Sequence, residues 1–430
     1  MKHNFLPAIL VLIIMSGFAY AFNLNNGLFW DDDDWIINNN FVHSLSWDNI
    51  KFWFTHNTLD GVGLKSNYYR PFLFFTFAFN YTIAGVKPLI YHLTSNAIHI
   101  VNGLLVFSLL HLAFRRKLLA FLVALAFLIH PLQTEAVTYI SGRGDMLVAM
   151  FMLLALLFFA KSQKVSGSLF SWQTGKFQVL SLVMLVFGLL SRETGIVFPF
   201  LALVFYVSVL SQDRFFASVK KGLLKTWPYF AVVLVYGVLR LTVFNFLDTL
   251  NFYAEPNVYS ENLYVRVYTF LPILWEYLKL LVVPIGLHME RSATVYASIF
   301  QWPVWVIAVI LVGLLLWFRW LYKKTDRNQD FRIWFLGVSW FFIGLAPVSG
   351  ITPINALIYE HWLYLPMIGF WLIAVFYLVK LFDYLKSKSL NTYFLILATI
   401  LAVYFSFFSY QSIKRNILWG KQVDFYHDIL

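Results

Sequence analysis

The sequence predicts an all-α polytopic membrane protein, and three observations predict it. Hydrophobic residues make up 60% of the 430-residue chain and charged residues only 12%, roughly half the charge of a soluble domain. The apolar residues fall into runs of roughly twenty, the length a helix needs to cross a hydrocarbon core. Lys and Arg collect in short stretches between alternate runs, as in loops held on the cytoplasmic side. The net charge of +11 belongs to those loops, so no nucleic-acid partner is needed to explain it. The chain has no cysteine, which excludes disulfide and thiolate-metal chemistry.

The runs lie at 5–23, 88–112, 117–133, 145–161, 178–192, 194–211, 227–246, 301–320, 333–349, 361–382 and 391–410. The first has the length of a signal peptide but no small-residue cleavage site, and it reads as a retained helix. A further stretch, 264–285, carries Arg266, Pro272, Glu276, Lys279 and Pro284, and reads as a re-entrant or interfacial segment. With that stretch not crossing, five basic clusters share one side. They are Arg115 to Lys117; Lys161, Lys164 and Lys176; Arg214, Lys220, Lys221 and Lys225; Arg319, Lys323, Lys324, Arg327 and Arg332; and Lys380, Lys386 and Lys388. The expectation is about eleven crossings, N-terminus in the cytoplasm and C-terminus outside. One transmembrane domain covers 1–410, with exoplasmic loops at 24–87 and 247–300 and a short exoplasmic tail at 411–430.

This topology sorts the acids. Asp213, Asp326, Asp330 and Asp383 fall in cytoplasmic loops, whereas Asp31 to Asp34, Glu135, Asp145, Glu193, Glu255, Glu290 and Glu360 gather outside. Chemistry is expected on that face, around Phe29-Trp30-Asp31-Asp32-Asp33-Asp34-Trp35. Four adjacent carboxylates at a membrane surface lose hydration and repel one another, which suits a cation, a substrate or a proton to be removed. The alternative is a solvated acidic loop that helps set topology.

Other polar stretches carry their own readings. Ser46 to Phe54 is an amphipathic interfacial helix, and Tyr68-Tyr69-Arg70-Pro71 opens an aromatic run that does not cross. His92, Asn96 and His99 share a helix face, where polar packing between helices competes with zinc ligation. His130-Pro131 breaks a helix ahead of Glu135. Glycines on either side of Arg143 present its guanidinium as a phosphate anchor, or it pairs with Asp145 or Glu135. Ser191-Arg192-Glu193 joins two apolar runs, either under a polar cavity or as a plain turn. Glu360 and His361 cap a helix start or contact a ligand. No P-loop, dinucleotide-binding glycine pattern, HExxH or GxSxG is present. With the acids facing away from the cytoplasm, a lipid-carried donor fits better than a nucleotide sugar.

These residues together resemble the GT-C superfamily of lipid-linked glycosyltransferases, and within it the protein O-mannosyltransferases of the transmembrane and tetratricopeptide-repeat type with their bacterial relatives. The matching elements are Phe29-Trp30-Asp31-Asp32 with Ile36 and Asn39, Tyr69-Arg70-Pro71, and Tyr91-His92 with Asn96 and His99. They continue as His130-Pro131 with Thr134 to Val137, Gly142-Arg143 with Asp145, Ser191-Arg192-Glu193, and Glu360 with Leu363-Tyr364-Leu365-Pro366. The resemblance implies a GT-C fold and an inverting transfer from a polyprenyl-phosphate sugar to an acceptor hydroxyl on a protein or glycan. One of Asp31 and Asp32 would be the general base. Arg143, then Arg192, then Arg70 and His92 would meet the donor phosphate, with Glu135, Asp145, Glu193, Glu360 and His361 lining the substrate site. No cofactor is required, although a divalent cation could sit on the acids.

Three departures stand out: Arg192 where the family has Lys, His361 where it has Arg, and a chain that stops at Leu430 although relatives pass into tetratricopeptide repeats at Arg415-Asn416 with Trp419, in a tail that is basic although outside. The expected setting is a bacterial inner membrane with the active site facing the periplasm or exterior. The rival readings are a transporter or flippase of a lipid-linked saccharide, and an inactive interaction protein.

Overall fold

Helices make up the regular structure, and no strand occurs among the described residues. The computed structural model describes residues 5–164, 172–247, 253, 255–325, 329–354 and 356–429. Asp326 and Arg327 therefore lie outside it. The first half contains α1 (Leu6–Tyr20), α2 (Trp47–Thr55), α3 (Pro71–Ala84), α4 (Pro88–Phe114), α5 (Lys117–Ile129), α6 (Thr134–Thr138), α7 (Arg143–Lys164), α8 (Trp172–Leu189), α9 (Phe198–Phe205) and α10 (Phe215–Leu241). The second contains α11 (Val258–Glu261), α12 (Leu263–Val282), α13 (Trp302–Thr325), α14 (Gln329–Leu345), α15 (Met367–Ser387), α16 (Asn391–Trp419) and α17 (Gln422–Ile429).

Among the described residues nine helices are long and apolar enough to cross a membrane, or ten if the bent pair Lys117–Ile129 and Pro131–Thr138 is one span. The expected eleven is not reached, because the apolar helix under the 178–192 run, Gly175–Leu189, falls in the shorter class. Helix α3 is also short, with 14 residues; it reaches about 21 Å, too little for a hydrocarbon core of about 30 Å. The 264–285 stretch forms α12, which is not among the nine. Its Arg266 is buried without a carboxylate and donates instead to the carbonyls of Gly350 (2.7 Å), Ser260 (2.7 Å) and Tyr259 (3.2 Å).

Helix α5 is apolar on every side and buried on nearly every side. Such a helix belongs at the centre of a bundle, and it packs against α1, α4, α15 and α16. Pro131 lacks the N–H that would continue it, and the axis bends by 52° into the next short helix. Helices α14 and α15 approach backbone to backbone at Gly337 and Gly369, where a Cβ on Gly369 would stand 2.3 Å from the Gly337 carbonyl oxygen. Small residues allow this closeness between membrane helices.

The bundle has two unlike ends. At one, Arg116 donates to Gln329 (3.0 Å), Arg332 to Gln212 (2.8 Å), Lys380 pairs with Asp330, and Lys117 lies over Phe5. Four of the basic clusters and the start of α1 therefore meet there. The acids of the first loop, the α5–α6 bend and the starts of α7 and α15 converge at the other. Of the segment 411–430, expected as a tail, the described part to 429 is largely helical: α16 runs to Trp419, and α17 folds back over the acidic motif.

Candidate active site

The loop that carries the acids is fastened before it reaches them. Asn23 donates to Asn96 (2.9 Å) and Thr138 (3.2 Å), His92 donates to the Asn26 carbonyl (3.2 Å), and Asn26 donates to the Asn416 carbonyl (2.9 Å). Trp30 then takes a left-handed backbone with φ 63°, a conformation that costs a bulky L-residue about 1–3 kcal/mol. Beyond the acids the chain closes one wide turn, with the Asn38 N–H bonded to the Asp33 carbonyl at 2.8 Å. Wide turns of this kind are frequent at functional sites.

The turn sends the two leading acids into different surroundings. Asp32 is 2% exposed, and its Oδ1 accepts from the Ser141 amide (2.9 Å) and hydroxyl (2.6 Å), its Oδ2 from the Phe29 amide (3.4 Å). Burial pushes its pKa up to about 7, against those hydrogen bonds and with help from Asp31. Asp31 stays exposed. Its Oδ2 accepts from the Tyr139 hydroxyl at 2.5 Å, and its Oδ1 bonds to no described residue. Partial burial raises its pKa too, against the Tyr139 bond and reinforced by Asp34.

The Asp32 shift has a consequence for stability. An unfolded Asp ionises near pH 4, whereas folded Asp32 holds its proton up to about pH 7. Between those values the folded state binds more protons, so its stability falls as pH rises. Asp32→Asn is expected to flatten that stretch of the pH–stability curve in detergent melts. An undiminished slope would show that another group is responsible.

The other charged groups at this end of the bundle are linked to one another. Glu135 is fully buried at the Pro131 bend and accepts from the Glu360 (3.0 Å) and His361 (3.1 Å) amides. The His361 ring donates from Nδ1 to Glu135 at 2.6 Å and accepts at Nε2 from Arg192 at 3.2 Å. Burial pushes the His361 pKa down, with Asp145 opposing and Arg192 assisting. Arg192 also pairs with Asp145. Arg70 pairs with Glu193 at 3.0 Å and lies 4.3 Å from the Tyr68 ring. Glu360 pairs with Arg291 (3.0 Å) and Arg415 (2.8 Å).

Two candidates are corrected by this geometry. Arg143 is 0% exposed and donates to Ser95 (3.2 Å), Thr76 (3.1 Å), Asn80 (2.8 Å) and the Tyr91 carbonyl (3.0 Å). Its guanidinium joins α3 to α4 inside the protein and presents nothing to a donor phosphate; neither Asp145 nor Glu135 is its partner. His92 is likewise buried, and its Nε2 is bonded to the Asn26 carbonyl, so it helps hold the acidic loop. The helix-packing reading of its neighbours matches the contacts: Asn96 bonds Asn23, and His99 bonds Tyr364 (2.8 Å) and Leu128 (3.0 Å). Among the described residues no three His, Asp or Glu side chains group as a metal ion would need.

No family model matches the chain. Over most of its length it is similar to protein O-mannosyl-transferases. One from Caenorhabditis elegans is 25% identical across 97% of the chain and 56% of that protein. Human TMTC1 is 25% identical across 91% and 48%, and mouse TMTC4 26% across 88% and 56%. The chain spans about half the length of these curated relatives. Among solved structures, the Archaeoglobus fulgidus oligosaccharyltransferase in complex with Zn and sulfate superposes with TM-score 0.51 at 12% identity, over 94% of the chain and 53% of that protein. The same enzyme tethered to an acceptor peptide gives 0.50 at 10% identity. The fold is GT-C.

Within this GT-C bundle, several site residues have no signal in the sequence. Tyr139 and Ser141 are tied to Asp31 and Asp32, and Arg291 to Glu360, yet none belongs to a run of charge or a periodic face. Arg415 has the one signal, as part of a basic stretch on the acidic side. Proximity to Arg143 in sequence was the one available pointer to Ser141.

Proposed function

We propose that the chain is an integral membrane glycosyltransferase that moves a mannose-like sugar from a polyprenyl-phosphate donor to a hydroxyl group, a protein side chain in the first instance. The reaction would take place at the exoplasmic end of the bundle. The observation that carries this reading is Asp31, an exposed carboxylate with one oxygen held by Tyr139 and the other unengaged, set on a buried frame. The similarity to protein O-mannosyl-transferases over most of the chain supports the sugar and the acceptor class. The basic clusters at the opposite end support the orientation.

In this reading Asp31 Oδ1 takes the acceptor's proton as the hydroxyl oxygen attacks the anomeric carbon. The bond from that carbon to the phosphate oxygen breaks on the far side, and its electron pair leaves with the lipid phosphate. A carboxylate of raised pKa suits the proton transfer. The developing phosphate charge needs a fixed donor. Arg192 is partly exposed and oriented by Asp145 and His361, with N–H groups to spare. Arg70, buried against Glu193, is less free.

Purified protein in lipid nanodiscs is expected to transfer mannose from a synthetic polyprenyl-phosphate mannose to a Ser/Thr peptide. Arg192→Gln should lower kcat/KM about 10²–10³-fold, the usual loss on removing one charge-stabilising donor. Donor that crosses the bilayer in proteoliposomes without being consumed would overturn the transferase reading in favour of a transporter.

A further inference from the structure

Both supports of Asp31 rest on the last two helices described, α16 and α17. Trp30, the residue before it, stacks on Tyr426 with ring centres 5.5 Å apart and meets Phe425 edge-on at 6.2 Å. Phe29 is wedged between Trp419 (5.8 Å) and Phe425 (5.2 Å). Tyr139, which donates to Asp31 from the other side, packs on Trp419 at 5.6 Å. Gly420, between the last two helices, lets the chain come close: a Cβ there would stand 2.4 Å from Asn26 Oδ1. Asn416 closes the arrangement, bonding Thr138 and the Ala19 carbonyl (2.8 Å) with its side chain while its own carbonyl holds Asn26.

A left-handed Trp30 is not a conformation the backbone would keep unaided. Asp32 is held to Ser141 and Phe29 on one side of it, and the contacts that fix the Trp30 ring itself are aromatic and come from a segment nearly four hundred residues downstream. We propose that Trp419, Phe425 and Tyr426 form a clamp of positioning residues that sets the Trp30 turn, and through it the aim of the Asp31 carboxylate. The inference rests on the transferase reading for its effect on turnover. The clamp's effect on Asp31 itself does not depend on it.

Two readouts on the whole 430-residue chain in nanodiscs test it. The first needs no turnover: carbodiimide-coupled amine labelling of Asp31, mapped by mass spectrometry and normalised to exposed Asp48. Phe425→Ala should raise Asp31 labelling severalfold, Phe425→Leu should raise it less, and Val423→Ala, at an exposed position on α17, should leave it unchanged. The second is mannosyl transfer, where Phe425→Ala should lower kcat about 10–100-fold with donor KM within about twofold. A gross fold defect would instead lower the melting temperature and shift KM and kcat together. Unchanged Asp31 labelling in Phe425→Ala overturns the clamp whether or not the protein transfers sugar. Wild-type protein that labels as expected but never transfers counts against the transferase reading alone.

Discussion

Asp31→Asn is expected to lower sugar transfer about 10³-fold or more, near the upper range for removing a general base, while folded yield and donor binding stay as in wild type. The amide keeps the shape and can still accept from Tyr139 at its carbonyl oxygen, so only the proton acceptor is lost. Asp32→Asn is expected to cost less. Asp32 is enclosed by Ser141 and Phe29, so it cannot reach an acceptor hydroxyl. Its loss acts through the placement of the loop, because an amide NH2 would face the Phe29 N–H. Transfer measured with both variants decides between them. The reverse order of effects would make Asp32 the base and sink this assignment. Asp31 must be ionised to act and its pKa is raised, so wild-type kcat should climb with pH along a limb lying above the ordinary carboxylate range.

The largest effect on stability is expected from Glu360→Ala. Glu360 is fully buried and is shared by Arg291 at 3.0 Å and Arg415 at 2.8 Å, with the His288 amide also bonded to it at 3.0 Å. Removing the one carboxylate leaves two guanidiniums without a counter-charge inside the protein, where breaking a buried pair costs about 3–5 kcal/mol. Glu360→Gln keeps an acceptor for the amide and should fall between wild type and Glu360→Ala. Denaturant melts in detergent measure the difference, and hydrogen exchange should locate it at the end of α16 and the loop around Arg291. A Glu360→Ala protein as stable as wild type would mean that water reaches the arginines.

Much of the fold was legible because its causes are local. A run of apolar residues must satisfy its own backbone in lipid, so it becomes a helix wherever it is placed. Basic loops set its direction. The broken helix at His130-Pro131 follows from the missing N–H of proline. That the acids gather opposite the basic loops, and that Asp31-Asp32 leads the motif, also came from the order of residues along the chain. The count of spans differs because the apolar part of α8 is short and the Lys117–Ile129 and Pro131–Thr138 pair is bent by 52°.

The role of each charged side chain was decided only in three dimensions. In sequence Arg143 and Arg192 look alike, each beside a glycine or an acid near a helix end. The fold encloses one with Asn80, Thr76 and Ser95 and leaves the other partly open beside Asp145 and His361. Asp31 and Asp32 are neighbours, yet only Asp32 is sealed in, by a serine 109 positions away. The segment after 410, which composition leaves as a tail, becomes part of the acidic motif's support because Trp419 and Phe425 find Phe29. Hydropathy is a property that each segment carries by itself, and it fixed the helices. Burial, pairing and pKa depend on which distant segments arrive at the same place, and that is settled only when the bundle closes.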